Sequence, residues 1–62
     1  MNIYKLYKNN LLVLSSTGNL NPVVNELKNN DIIITDIRDL FDRDIMGEYL
    51  FDVEEKNYSD FE

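Results

Sequence analysis

Sixty-two residues allow one domain at most, and the chain has no cysteine and no histidine. A disulfide framework, a thiolate metal site and the commonest catalytic base and zinc ligand are therefore excluded. Twelve acids against six bases give a net charge of −6, while 44% hydrophobic residues suffice for a core.

The charge is unevenly spread. Residues 1–30 carry three lysines and one glutamate (3 − 1 = +2), and residues 31–62 carry eleven acids and three bases (3 − 11 = −8). A negative field of that size repels phosphate backbones and attracts basic surfaces, so no direct nucleic-acid binding is expected. No apolar run reaches the roughly 18–20 residues that span a bilayer. The start Met1-Asn2-Ile3-Tyr4-Lys5 lacks a signal-peptide pattern, so a cytoplasmic protein without membrane contact is expected. The abundance of Asn, Lys, Ile and Asp is what AT-rich coding produces, as in low-GC bacteria and their phages.

Asn2 to Lys8 has strand character, with Tyr4 and Leu6 on one face and Ile3, Lys5 and Tyr7 on the other. Asn9-Asn10 suits a two-residue type I′ turn, because asparagine tolerates positive φ. Leu11 to Ser15 completes a hairpin. After the polar loop Ser16-Thr17-Gly18-Asn19, Asn21-Pro22 predicts a capped helix start. Leu20, Val23, Val24 and Leu27 form one apolar stripe, and Asn29-Asn30 is expected to end the helix through a left-handed residue. Asp31 to Thr35 contains Ile32-Ile33-Ile34, a β-branched run predicted to be a buried strand.

The stretch Asp36 to Glu48 packs five carboxylates, two arginines and five apolar side chains into thirteen residues. Near-helical spacing of Ile37, Leu40, Phe41 and Ile45 favours a short helix or helical turn. Asp36 is its candidate cap, Gly47 its stop, and Arg38–Asp42 and Asp39–Arg43 are potential i,i+4 pairs. An extended strand and loop is the alternative. Glu48 to Glu54 is predicted as a last strand with Tyr49, Phe51 and Val53 on one face. The fold class is therefore α+β: a single domain over residues 1–55 with an antiparallel sheet of four strands, then an acidic terminal tail, 56–62. That tail is expected to be frayed, with Tyr58 and Phe61 either resting on the domain or forming a docking peptide.

Ser15, Ser16 and Thr17 have no histidine base, and Gly18 stands alone where phosphate-binding loops need several glycines. A carboxylate pair for glycoside chemistry needs a cleft that a core this thin does not readily enclose. Asp36, Asp39, Asp42 and Asp44 depart from the calcium-loop spacing and drift round a helix rather than converge. No catalytic residue, metal or cofactor is thus expected, and the protein is not expected to be an enzyme.

Regularly placed acids can instead imitate a nucleic-acid backbone, which carries one charge per about 1.7 Å of duplex. Asp36, Asp39, Asp42, Asp44, Glu48, Asp52, Glu54 and Glu55 form the candidate array, with Phe41, Met46 or Tyr49 as apolar anchor, although Arg38 and Arg43 weaken the mimicry. An array of acids that merely solvates a small domain is the competing interpretation. The expected role is a small acidic interaction module, a phage-type inhibitor or modulator. Its partner would be a basic surface on a nucleic-acid-handling protein such as a nuclease, a CRISPR effector or a polymerase component. The alternative is a structural or homo-oligomeric module, because a core of this size supplies only about 3–5 kcal/mol and a homodimer would supplement it.

Overall fold

The computed structural model describes residues 1–55 and is organised around its first strand. β1 (Asn2–Lys8) lies at the centre of a three-stranded antiparallel sheet, between β2 (Leu11–Thr17) and β3 (Tyr49–Glu55). Asn9 and Asn10 turn the hairpin with φ of 52° and 71°, the two positive values that a type I′ turn requires. The β1–β2 register steps from Leu6↔Leu14 to Tyr7↔Leu12, which leaves Val13 as the extra residue of a bulge. On the other side β1 pairs with β3 without interruption, from Asn2↔Glu55 to Lys8↔Tyr49.

Strand alternation gives the sheet two unlike faces. Tyr4 and Leu6, with Leu14, Phe51 and Val53 opposite them, lie on the covered face. Ile3, Lys5 and Tyr7, with Leu12, Leu50, Asp52 and Glu54, lie on the open one. Helix α1 (Asn21–Asn29) lays Val23 and Leu27 on the covered face, and Leu20 packs beside them. Leu6, Val23, Leu27, Leu40, Met46 and Phe51 make the buried core.

The helix start differs from the expected cap. Leu20 occupies the cap position, Asn21 is already helical, and no side chain caps the helix. Asn19 Oδ1 accepts from Asn21 N–H at 3.0 Å instead, so an asparagine closes the turn two residues earlier. At the other end the left-handed residue is Asp31 (φ 68°), not Asn29 or Asn30, and Ile32 N–H donates back to Leu27 O at 2.9 Å.

The predicted fourth strand is not present. Ile32, Ile33 and Ile34 run outside the sheet, although Ile32 and Ile34 pack on the core while Ile33 is exposed. The alternation is real, with Ile32 and Ile34 toward the core and Ile33 outward, but the run pairs with neither edge strand of the sheet. β-Branched residues record a fit to a half-buried surface, and here that surface is the core rather than a ladder. The acidic stretch folds as two short pieces, a 3-10 helix over Ile37–Phe41 and a single turn α2 (Arg43–Met46). Gly47 ends α2 at φ 63° and ψ −116°, and its N–H donates to Arg43 O. Tyr58, Phe61 and the rest of the expected tail, 56–62, lie outside the described residues. No helix among the described residues is long and apolar enough to cross a membrane.

Candidate functional site

The segment from Thr35 to Tyr49 is folded by its own carboxylates. Asp36 Oδ1 accepts from Arg38 N–H, and Asp39 Oδ2 accepts back from Asp36 N–H, each at 3.2 Å, which makes a reciprocal capping box. Asp39 Oδ2 also accepts from Thr35 N–H at 3.0 Å and from Thr35 Oγ1–H at 2.9 Å. These two bonds, helped by Asp36 N–H and the Arg38 charge, hold the Asp39 carboxyl below its ordinary pKa against the opposing effect of desolvation. Asp42 Oδ1 caps α2 by accepting from Asp44 N–H at 2.9 Å. Neither expected i,i+4 pair forms. Arg38 reaches back to Asp36 at 3.3 Å, because a 3-10 turn followed by an extended Asp42 breaks the continuous helix such pairs need.

The candidate array is thus divided into groups. Asp36, Asp39 and Asp42 turn oxygens into their own backbone. Asp44, Glu48, Asp52 and Glu55 are exposed and accept no side-chain hydrogen bond among the described residues. Glu54 pairs with Lys5 on the open sheet face at 2.9 Å, and this carboxylate holds the Lys5 ammonium above its ordinary pKa. Asp52 and Glu54 share the open face, whereas Asp36 to Asp44 belong to the layer packed at the end of the covered one. No group of three or more potential metal ligands converges among the described residues.

Of the three apolar anchors, Met46 is buried and serves the core. Tyr49 is half-buried with Lys8 Nζ 5.3 Å from its ring centroid. Phe41 is 62% exposed, yet its ring stands edge-on to Phe51 at 5.4 Å, and Phe51 stacks in turn on Tyr4 at 6.0 Å. Phe41 therefore presents a surface that is both accessible and held in place. It borders an open recess of about 210 Å3 whose wall includes Leu40, Met46, Phe51 and exposed Leu50, with Asp42 and Arg43 beside it. Arg43, expected to pair with Asp39, instead borders this recess, and Leu50 joins the lining without having been a candidate site residue. The alternation predicted for the last strand already sets Leu50 on the face opposite Tyr49, Phe51 and Val53, but its place at the rim of the recess depends on where the 3-10 turn and α2 pack.

In comparisons with known proteins, no family model, curated protein or solved structure matches the chain.

Proposed function

We propose that the protein is a small acidic interaction module that docks a basic protein surface through the Asp36–Tyr49 layer. The observation that carries this is Phe41, an exposed aromatic ring braced on Phe51, set between two carboxylate-capped turns and next to a recess. A rigid aromatic beside a pocket is the side chain that dominates many interfaces, and flanking charge steers the encounter. Asp44 and Glu48 are the outward acids nearest in sequence to this anchor, and Asp52 and Glu55 extend the negative charge along β3.

Proteins that handle nucleic acid present the basic grooves such a module fits, which makes a nuclease, a CRISPR effector or a polymerase component the target class. The mimicry of a phosphate backbone is partial, because three carboxylates of the array are engaged in capping. Capture of a partner from host lysate tests the proposal, with duplex DNA as competitor. Neutralising the outward set (Asp44→Asn, Glu48→Gln, Asp52→Asn, Glu55→Gln) is expected to slow association by about tenfold or more at low salt. Phe41→Ala is expected to speed dissociation. Capture that is indifferent to both changes and to salt would remove the acidic layer from the mechanism.

A further inference from the structure

We propose that β2 is an assembly edge that pairs antiparallel with β2 of a second copy, joining two sheets into one of six strands. Among the described residues β2 is bonded to β1 alone. Gly18 N–H donates to Asn2 O at 2.8 Å, which fixes the phase of the ladder. Tyr4–Ser16 and Leu6–Leu14 are then bonded pairs, and the N–H and C=O of Ser15 and Thr17 point away from β1, toward the outer edge. A row of outward donors and acceptors is a template for another strand.

The two edges of the sheet differ in how they treat that template. β3 carries Asp52, Glu54 and Glu55 in seven residues. β2, Leu-Leu-Val-Leu-Ser-Ser-Thr, carries no charge and no proline in seven, and Leu11, Leu12 and Val13 are exposed. Charge on an edge strand is the usual guard against self-pairing, and β2 lacks it. Distance makes the choice quantitative. Pairing β3 with β3 would bring two acidic strands to about 4.8 Å. Pairing β2 with β2 gives the order β3-β1-β2-β2-β1-β3, in which the acidic edges lie five spacings, about 24 Å, apart. That is roughly three times the ~8 Å screening length at physiological salt. Every side chain on β2 being uncharged, no register sets like charges opposite each other. A two-fold axis at Ser15 lets that residue exchange both outward backbone bonds with Ser15 of the partner subunit.

This surface lies across the sheet from the acidic layer, so the pairing does not rest on the docking role proposed for that layer. Sedimentation of the full chain over a dilution series is expected to show a transition between 7.3 kDa and twice that mass. High salt should leave the transition in place. Ser15→Pro removes an outward N–H that the monomer does not use, and is expected to give a folded monomer. Ser15→Lys, which puts two cations at the axis and leaves the backbone intact, is expected to do the same, whereas Glu55→Lys should still dimerise. A wild-type chain that stays at 7.3 kDa up to millimolar concentration overturns the proposal, and so does a dimer that survives both Ser15 variants.

Discussion

The hairpin and α1 reach the core by different means from the segment that follows them. Residues 2–29 are regular, held by a strand ladder and a helical stripe, and their side chains enter the core by period: Leu6 from the strand, Val23 and Leu27 from the helix. Residues 32–48 also close the core, with Leu40 and Met46 buried and Ile32 and Ile34 packed against it, but no ladder supports them. Their backbone is fixed by carboxylates reaching two to four residues along the chain. A domain too small to afford a fourth strand can therefore close its core with an irregular layer, provided that the layer caps its own free amides.

Truncation of the core tests that equivalence most strongly. Leu27→Ala and Met46→Ala should each cost about 2–5 kcal/mol, comparable with the ~3–5 kcal/mol a core of this size supplies, so both variants should be largely unfolded by circular dichroism. A nearly silent Met46→Ala would mean that the acidic layer is an appendage rather than a wall of the core. Gly47→Ala separates backbone strain from packing. Beyond its neighbours along the chain, nothing lies within 4 Å of the added Cβ, but φ 63° with ψ −116° is glycine territory, so about 1–3 kcal/mol should be lost in urea titration.

Acid should loosen the irregular layer. The Asp39 carboxyl has a lowered pKa in the folded chain, so its contribution is present above the unfolded value of about 3.9 and is lost as pH falls through the folded one. Asp39→Asn should flatten the acid limb of the stability curve, a difference read by denaturation at stepped pH. An unchanged acid limb would contradict the capping role. Lys5 gives the smallest effect, at the opposite end. Its folded pKa is raised by Glu54, so its contribution holds below about pH 10.4 and fades as pH rises through the folded value. In Lys5→Met only the alkaline limb should change, and slightly, because exposed pairs contribute little.

Local signals were the legible part of the fold. The limits of β1, the Asn9-Asn10 turn, the stop at Gly47 and the facing of Tyr49, Phe51 and Val53 all depend on a few neighbouring residues. Ile32 to Ile34 could not be read correctly that way. Whether an extended run joins a sheet depends on where the chain carries it relative to an edge, which its own residues do not encode, and Ile32 and Ile34 reach the core without pairing to either edge strand. In the candidate site, Asp36 was visible as a cap, and its spacing to Asp39 is that of a capping box with aspartate in the reciprocal position. The direction of each remaining carboxylate was not visible, since it follows from a 3-10 turn that near-helical spacing does not distinguish from α-helix.

The central place of β1 also sets the timing of folding. Its partnership with β2 closes over a two-residue turn, and hairpins form in about 1–10 μs. Its partnership with β3 joins Asn2 to Glu55 and must wait for the far end of the chain. At a synthesis rate of about 5–20 residues per second, the interval between completing Thr17 and reaching Glu55 is roughly 2–8 s. Until β3 pairs, the hairpin has an unsatisfied flank on β1 as well as the bare one on β2. Lys5 and Lys8 are the only charges on β1, and like charge on an unpaired strand opposes its pairing with the same strand of another copy.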